Sequence, residues 1–488
     1  MAADSLRILF VSAEVAPFAK TGGLADVAGS LPKALKRAGH DVRIAMPRYK
    51  QITEGEYLLD YPVEMDHHLE TGIIRKTMIR GNDVPVYLID NYKYFYRDGI
   101  YGFPDEAERY NFFCKAVLNM LPQVDFQPDV IHCNDWHCGL IPLSLQTKYA
   151  EDPFYRRIAT LFSIHNLQYQ GIFPKNVLRL IGLGEEFFNP ERLEFYGQVN
   201  FMKAGILYAD VINTVSNKYA LEIQTPEFGE RLDGLLRKRS QDLYGIVNGI
   251  DYEEMNPETD PSIYQNYGIK TLDLKKKNKY ALQKEMGLPV EDTPLLGIIT
   301  RLVGQKGLDL IADVFDQLMS LGVQFVLLGS GEDYYQKLFS ELKMKYQQQA
   351  AINLGFNAEL AQKIYAGADV FLMPSRFEPC GLSQMISLRY GTIPVVREVG
   401  GLADTITNYN EQTGTGNGFS FKPYEPGAFL EAIKRALKIY RQQPEQWRRL
   451  MIRAMQSDFS WDRSAGEYVK LYRKAMEKNQ NTRYRMVV

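Results

Sequence analysis

Basic side chains that could hold a diphosphate stand in both halves of the sequence. Arg301 and Lys306 are five positions apart in 301-RLVGQKG-307, and Lys20 opens 20-KTGGLADV-27. The forked guanidinium of an arginine and the point charge of a lysine together suit a diphosphate. Alone, Arg301 and Lys306 fit solvated loop charges better. Combined with Lys20, they could neutralise a leaving nucleoside diphosphate without a metal.

The glycine-rich stretch that follows Lys20 meets neither standard phosphate-loop pattern. Glu14 occupies the first glycine position of a Walker loop, and 329-GSGEDY-334 lacks the last glycine of a dinucleotide fingerprint, which argues against hydride transfer. Gly22 and Gly23 could still let a ligand approach the backbone at a helix start near Leu24, where N–H groups favour an anion. A simple turn fits these residues equally well.

Polar side chains also follow two middle strands of the predicted N-terminal half. The two cysteines of 132-HCNDWHC-138 have four residues between them and no second ligand pair elsewhere, so a closed zinc site is disfavoured. The better interpretation is a polar loop that carries Asp135 and His137 into a cleft. His165, with Asn166 beside it at the next strand end, fits a structural and a catalytic role equally well.

One glutamate of a potential carboxylate pair is present, and the second is missing. Glu378 precedes Pro379-Cys380-Gly381 and should lie in a loop before a helix, whose N-terminus favours its charge. Structural capping is the alternative role. Many sugar-transferring enzymes have a second glutamate eight positions later, where this sequence has Ile386. A mechanism with paired carboxylates therefore loses its obvious second member.

The elements that must position these residues are alternating strands and helices. Strand-like runs such as 6-LRILFVSAEV-15 alternate with helical patterns, and the alternation restarts near residue 294. This pattern predicts parallel sheets, with ligands at the carboxyl ends of the strands. We predict an α/β protein with two doubly wound domains, residues 1–250 and 251–460. A C-terminal helix and tail over 461–488 could pack on either domain, including back on the N-terminal one.

Two further segments bear on this division. The stretch 22-GGLADV-27 returns as 400-GGLADT-405, so both halves have a helix that opens with glycines. The basic run 275-KKKNKY-280 follows 245-GIVNGIDYEEMNPETD-260, the predicted crossover between halves, and is expected to be a solvated helix face.

Composition limits the class of protein. With 488 residues, 57 Lys+Arg against 59 Asp+Glu and a net charge of -2, the chain is an ordinary globular one with no sign of a nucleic-acid partner. It shows no leader pattern and no apolar run of about 20 residues, so no membrane partner is expected. Four cysteines in so long a chain do not form a disulfide framework, and we expect a cytoplasmic protein.

Seven ordered stretches resemble the bacterial glycogen synthase and plant starch synthase family. They are 20-KTGGLADV-27, 134-NDWH-137, 163-SIHN-166, 247-VNGID-251, 301-RLVGQKG-307, 374-PSRFEPCGLSQ-384 and 399-VGGLADT-405. The resemblance implies the GT-B architecture, in which two Rossmann-like domains, acceptor side and donor side, face a deep interdomain cleft. It implies retaining transfer of glucose from ADP-glucose to the non-reducing end of an α-1,4-glucan or maltooligosaccharide. ADP would be released, and neither a metal nor another cofactor would be required.

The same resemblance implies roles for individual residues. Arg301 and Lys306 would hold the diphosphate, with Lys20 and the backbone of Gly22 and Gly23 on the opposite wall. Asp135 would lie near the reacting centre. The remaining implied contacts with glucose, phosphate or base are Asp26, His165, Asn166, Asn248, Phe356 in place of a stacking tyrosine, Glu378, Cys380, Gly381, Leu382, Gly400 and Gly401.

Three alternatives are weighed against this function. Because Ile386 removes a second glutamate and no enzyme nucleophile is obvious, attack on the face from which the diphosphate leaves fits better than a covalent intermediate. A sucrose- or trehalose-forming enzyme is disfavoured by 20-KTGGLADV-27 and 378-EPCGLSQ-384. A non-catalytic glucan-binding homologue would be expected to have lost some of the residues to which chemistry is assigned, and all six are present: Lys20, Asp135, His165, Arg301, Lys306 and Glu378.

Overall fold

A computed structural model describes residues 5–79, 81 and 83–487, with only the backbone for 482–487. The chain forms two compact units. The N-terminal unit comprises the residues up to Gly249 together with those from Trp461 onward, and the C-terminal unit is Ile250–Ser460. Each unit is a largely parallel sheet with helices, because strands alternate with helices along the chain.

The N-terminal unit is built around one large mixed sheet. Its strands are β1 (Arg7–Val11), β2 (Asp41–Pro47), β3 (Glu56–Met65), β4 (His68–Ile79), β5 (Val84–Asp90), β6 (Val130–Asn134), β7 (Ala159–Ile164), β8 (Ile172–Pro174), β9 (Glu194–Phe195), β10 (Gln198–Asn200), β11 (Val211–Thr214) and β12 (Leu243–Gly245). Within the described residues the large sheet has the order β12-β11-β7-β6-β1-β2-β5-β4-β3, and β8-β10-β9 form a small separate sheet. Among the described residues of the large sheet, the antiparallel pairs are β3 with β4 and β4 with β5.

Helices connect these strands. They are α1 (Gly23–Arg37), α2 (Tyr92–Phe95), α3 (Glu106–Gln123), α4 (Leu140–Gln146), α5 (Val177–Leu180), α6 (Phe201–Tyr208), α7 (Asn217–Glu222) and α8 (Asp233–Lys238), with single 3-10 turns at Trp136–Cys138, Glu185–Phe187 and Ser240–Asp242. The parallel strands β6 and β7 are buried throughout. Strands covered on both faces bury side chains at successive positions, and the polar residues among them, such as His132 and Asn134, form internal hydrogen bonds with Ser163 and with the carbonyl of Val11.

The C-terminal unit holds a parallel sheet. Its strands are β13 (Leu295–Ile299), β14 (Gln324–Gly329), β15 (Ala350–Leu354), β16 (Val370–Met373), β17 (Ile393–Arg397) and β18 (Phe419–Phe421), in the order β15-β14-β13-β16-β17-β18. Its helices are α9 (Lys275–Glu285), α10 (Leu308–Asp313), α11 (Phe315–Ser320), α12 (Asp333–Lys345), α13 (Ala358–Gly367), α14 (Ser383–Arg389), α15 (Gly400–Thr405), α16 (Pro426–Gln442) and α17 (Pro444–Gln456), with 3-10 turns at Ile269–Leu274 and Gly304–Lys306.

The last helix, α18 (Trp461–Val487), belongs to the N-terminal unit. It packs on α1 and on β7. The Tyr472 hydroxyl lies 2.9 Å from Nδ1 of His132, which is fully buried, and Asn213 donates to the Tyr468 hydroxyl at 3.3 Å. The apolar face of this amphipathic helix therefore completes the core of the unit in which the chain begins.

The basic run 275-KKKNKY-280 is solvated at Lys276 and Lys277, which are exposed, and the expectation of a solvated face was wrong for Lys275 and Lys279. Lys275 and Lys279 are buried, and they lie one helical turn apart on the same side of α9. Lys275 donates to the carbonyl of Ala366 at 2.6 Å, and Lys279 pairs with Asp369 at 2.7 Å. Internal acceptors satisfy these two amino groups inside the unit, and burial lowers the pKa of Lys275 to about 7. Among the helices of the described residues, none is long and apolar enough to cross a bilayer.

Candidate active site

Asp135 and His165 meet where two neighbouring strands of the N-terminal unit end. Asp135 directly follows β6 and His165 directly follows β7, and the two strands are parallel neighbours. The N–H of Asp135 donates to the carbonyl of Ser163 at 2.9 Å, and the N–H of His165 donates to Oδ1 of Asp135 at 2.8 Å. The carboxyl edge of the sheet therefore brings these two predicted site residues together.

The Asp135 carboxyl group is electrostatically unusual. It is 9% exposed, and burial raises its pKa to about 7. Hydrogen bonds from the N–H groups of His165 and Asn166 act in the opposite direction, and the nearby charge of Glu14 raises the pKa further. Asp135 can therefore hold or release a proton near neutral pH. Asn166 itself shapes the loop, because its Oδ1 accepts from the N–H of Gln168 at 3.1 Å.

His165 is held as a neutral imidazole. Its Nε2 lies 2.9 Å from Oδ1 of Asn134, whose amide nitrogen donates to the carbonyl of Val11 at 2.9 Å. Since the Asn134 oxygen faces the ring, Nε2 carries the proton and Nδ1 has the lone pair. Burial lowers the pKa of His165 to about 3, so the ring stays neutral at any ordinary pH.

His137 does not point into an open cleft, and that interpretation was wrong. It is buried, its ring stacks on Trp136 at 4.0 Å between centroids, and it also stacks on Tyr101 at 5.0 Å. The 3-10 turn at Trp136–Cys138 directs it into the core. Among the described residues, no group of three or more His, Cys, Asp or Glu side chains could hold a metal ion.

The loop that opens with Lys20 leaves an open surface. Lys20 pairs with Asp26 at 2.6 Å, with side chains 53% and 33% exposed. A Cβ added to Gly22 or Gly23 would meet no heavy atom within 4 Å. Gly22 has extended backbone angles that any residue can adopt. The protein's own packing therefore does not require these glycines, which leaves room for a ligand at the start of α1.

Glu14 has a role that sequence reasoning missed. Its buried carboxylate accepts the N–H of Thr21 at 2.5 Å and of Gly22 at 3.3 Å, and also the Thr21 hydroxyl at 2.7 Å. The helix α1 begins one residue later. The anion at this helix terminus is thus supplied by the protein itself. The available signal was a carboxylate at a strand end shortly before a helix that opens with Thr-Gly-Gly.

Asn248 follows β12 in the N-terminal unit and presents an unsatisfied acceptor. The residue is 5% exposed, and its Oδ1 has no hydrogen-bond partner among the described residues. A buried amide oxygen without a partner costs free energy, so it is a candidate contact for a hydroxyl donor.

In the C-terminal unit, predicted residues from two loops line one pocket. The pocket, of about 190 Å³, is lined in part by Arg301, Lys306, Glu378, Gly381 and Leu382. Lys306 Nζ lies 2.7 Å from Oε2 of Glu378, with side chains 16% and 9% exposed. The loops after β13 and β16 therefore place two cations and one carboxylate around a small polar cavity.

Backbone contacts fix these two loops against each other. The N–H of Arg376 donates to the carbonyl of Gln305 at 2.8 Å, and the Gln305 side chain donates to the carbonyl of Phe377 at 3.2 Å. Gly307 has a φ of +71°, and a Cβ there would lie 2.0 Å from the carbonyl oxygen of Pro374. Glycine is required at this position because both the backbone angle and the close approach exclude a side chain.

The second glycine-rich turn uses its glycines differently from the first. A Cβ on Gly400 would lie 2.0 Å from the Glu378 carbonyl oxygen, and one on Gly401 would lie 2.1 Å from that of Cys380. The N–H of Gly401 donates to the Glu378 carbonyl at 3.1 Å. The start of α15 thus supports the loop of Glu378.

Phe356 follows β15 and is 91% exposed, so its ring is accessible.

Two α/β units with polar sites at their sheet edges are compatible with a GT-B glycosyltransferase, and comparison with known proteins places the chain in that class. Residues 7–238 match the starch synthase catalytic domain, and residues 281–450 match glycosyl transferases group 1. The GT-B architecture predicted by the resemblance is confirmed.

The chain belongs to the glycogen synthase and starch synthase family. It is 64% identical to a glycogen synthase of Moorella thermoacetica, over 99% of both chains, and 50% identical to one of Thermotoga maritima, over 97% of this chain and 99% of the relative. The solved catalytic domain of starch synthase IV from Arabidopsis thaliana, bound to ADP and acarbose, is 36% identical with a TM-score of 0.91, covering 97% of this chain and 100% of that one. A sucrose-phosphate synthase from Thermosynechococcus elongatus, 18% identical with a TM-score of 0.60 over 96% of this chain and 98% of that one, shares the fold.

Proposed function

We propose that the protein transfers glucose from ADP-glucose to the non-reducing end of an α-1,4-glucan, with retention of the α anomer and release of ADP. The observation that carries this function is the pocket in which Arg301, Lys306 and Glu378 converge. Full-length relatives described as glycogen synthases support the reaction. ADP and acarbose on the Arabidopsis starch synthase support an adenine nucleotide donor and a glucan acceptor.

The C-terminal unit supplies the donor contacts in this proposal. Lys306 is oriented by Glu378, while the exposed Arg301 offers a guanidinium fork to the diphosphate. Both cations would stabilise the charge that develops as ADP leaves. The remaining donor contacts, to sugar hydroxyls, phosphates and base, are Glu378, Cys380, Gly381, Leu382, Gly400, Gly401 and the exposed ring of Phe356.

The N-terminal unit supplies contacts to the glucosyl group and the acceptor. The neutral His165 can bind a hydroxyl without introducing charge, and the unpaired Asn248 oxygen can accept one. Asp135 would lie beside the reacting centre and orient the sugar. On this side Lys20 and the backbone of Gly22 and Gly23 would contact the phosphates and sugar of the donor, and Asp26 and Asn166 are the further substrate contacts.

The chemical step proposed is attack from the face that the diphosphate leaves. The bond between C1 of glucose and the phosphate oxygen breaks, with its electron pair going to ADP. The 4-hydroxyl of the acceptor forms the new bond to C1 and gives its proton to the departing phosphate. Position 386 is a buried isoleucine, so it offers no second carboxylate. The proposal needs no metal.

The test of the function is transfer of radiolabelled glucose to glycogen or maltooligosaccharides with EDTA present. We expect incorporation from ADP-glucose, at a higher rate than from UDP-glucose, and its loss in Lys306→Met. Incorporation from neither donor would overturn the proposal. A trapped glucosyl ester on Asp135 or Glu378 would overturn the same-face step alone. The four cysteines are all buried and none forms a disulfide, which supports a reducing compartment, and we propose the cytoplasm.

A further inference from the structure

Tyr101 connects Glu14 to the loop that holds Asp135. Its hydroxyl donates to Oε1 of Glu14 at 2.7 Å. Its ring stacks on His137 with 5.0 Å between centroids and an interplanar angle of 28°. His137 lies two residues after Asp135 and stacks in turn on Trp136. A single side chain therefore contacts both the carboxylate at the start of α1 and the loop after β6.

The segment that carries Tyr101 is itself firmly held. Arg109, a fully buried residue of α3, donates to the carbonyl of Ile100 at 3.2 Å and to that of Tyr94 at 2.8 Å. Its guanidinium also pairs with Glu106 at 2.6 Å. These bonds fix the backbone next to Tyr101, so the position of its hydroxyl is set before any ligand binds.

The loop of Lys20 needs such external support. Gly22 and Gly23 have no packing neighbours at their Cβ positions, and Lys20 contacts the partly exposed Asp26. A glycine-rich loop has more backbone freedom to lose than any other kind, which opposes its ordering on a ligand. Three hydrogen bonds to Glu14, two from Thr21 and one from Gly22, already restrict that freedom.

We infer that Glu14 and Tyr101 form a brace that positions the 20-KTGGLADV-27 loop relative to Asp135 for binding of the nucleotide-sugar donor. Both are positioning residues, because they act through Lys20, Gly22 and Gly23 rather than on the substrate. The inference rests on the proposed function, which assigns those loop residues to the donor. It adds two residues that the proposed contacts do not include.

The experiment compares two brace variants with a matched control. Glu14→Gln keeps the shape of the side chain and removes its charge, and Tyr101→Phe removes one hydroxyl while keeping the ring. The control is Asp210→Asn: Asp210 is 6% exposed and accepts the N–H and hydroxyl of Thr160 at 2.8 and 2.9 Å, as Glu14 does with Thr21. Asp210 precedes β11, so it lies at the opposite edge of the same sheet.

Kinetics should separate positioning from folding. We expect kcat/KM for ADP-glucose to fall about 10- to 100-fold in Glu14→Gln, the loss typical of a displaced positioning group. Tyr101→Phe should lose about tenfold, the equivalent of one hydrogen bond. The KM for glucan should stay within about twofold of wild type in both, because the loop is assigned to the donor. Asp210→Asn should keep wild-type kinetics under all conditions in which the variant is folded.

Hydrogen exchange supplies a readout that does not depend on activity. The amides of Thr21 and Gly22 should exchange about tenfold faster in both brace variants and at the wild-type rate in Asp210→Asn. Wild-type kcat/KM and slow exchange in Glu14→Gln would overturn the inference, as would an equal kinetic loss in Asp210→Asn. If Glu14→Gln does not fold, Tyr101→Phe decides by the same criteria. A wild-type protein inactive with ADP-glucose would refute the proposed function, while exchange would still decide whether the brace exists.

Discussion

Removing the ammonium of Lys306 should destabilise the C-terminal unit as well as impair donor use. The substitution Lys306→Met would remove the ammonium from the Glu378 carboxylate, which is 9% exposed and would keep the hydrogen bond from the Ser375 hydroxyl at 3.1 Å. Removing one partner of a buried ion pair costs about 3–5 kcal/mol. Because Lys306 is 16% exposed and Ser375 still donates, we take the lower end, about 3 kcal/mol.

This free energy converts into a measurable shift in melting temperature. The unit Ile250–Ser460 has roughly 210 residues, and for that size 1 kcal/mol corresponds to about 2–4 °C. Calorimetry should therefore show its transition lowered by about 6–12 °C. The double variant Lys306→Met/Glu378→Gln should recover most of the stability and none of the activity, because no charge is left stranded.

A matched control lies in the same unit. Lys345 pairs with Asp316 at 2.8 Å, but the side chains are 55% and 65% exposed and the pair is screened by solvent, so Lys345→Met should leave the melting temperature close to that of wild type. A Lys306→Met melting temperature equal to that of Lys345→Met would refute the reasoning. So would a double variant no more stable than Lys306→Met alone.

Three other substitutions test separate parts of the molecule. Lys20→Ala should reduce turnover and donor use in the glucose-transfer assay while changing stability by less than about 1 kcal/mol, because its ion pair is exposed; a wild-type rate would make the loop a simple turn. The melting temperature of Asp135→Asn should increase relative to that of the wild type as the pH rises from about 5 to about 8. In this pH range the Asp135 carboxyl, with a pKa of about 7, keeps its proton in the folded protein, whereas the same carboxyl in the unfolded chain has already lost it. The stability of the wild type therefore falls as the pH rises. A difference in melting temperature between variant and wild type that does not change with pH would contradict the raised pKa. Lys275→Met should lower the stability of the C-terminal unit by about 1–3 kcal/mol in urea unfolding, because it leaves the buried Ala366 carbonyl without the N–H donor of Lys275; unchanged stability would contradict that role.

The fold and half of the candidate site follow from local sequence patterns. Continuous apolar runs alternating with amphipathic helices specify parallel sheets, and parallel strands end at one edge. This places Asp135 beside His165, and Lys306 beside Glu378, without knowledge of any contact. The basic run at Lys275 was misjudged because its acceptors lie about 90 residues further along the chain, beyond what a local charge pattern contains.

Identical residues in the two echoing glycine-rich stretches also have different structural surroundings. Gly23 and Gly401 occupy corresponding positions close to the helix start in the two echoing stretches, yet one faces open space and the other touches the backbone of Cys380. In the sequence, Glu14 was noticed as the residue that occupies the first glycine position of a Walker loop, and its place at a strand end before a helix was not used. Its hydrogen bonds depend on how the chain turns between β1 and α1, and on Tyr101, which comes 87 positions later.

The return of α18 to the N-terminal unit affects how the chain folds during synthesis. The ribosome completes β1 early, but the helix that covers α1 and β7 is made only after the roughly 210 residues of the C-terminal unit. At translation rates of about 5–20 residues per second, that interval lasts about 10–40 seconds. Throughout it, His132 lacks the Tyr472 hydroxyl and the apolar surface beneath α18 is uncovered. The N-terminal unit is thus translated first, but its core is completed last. Its uncovered surface is where a nascent-chain chaperone would be needed.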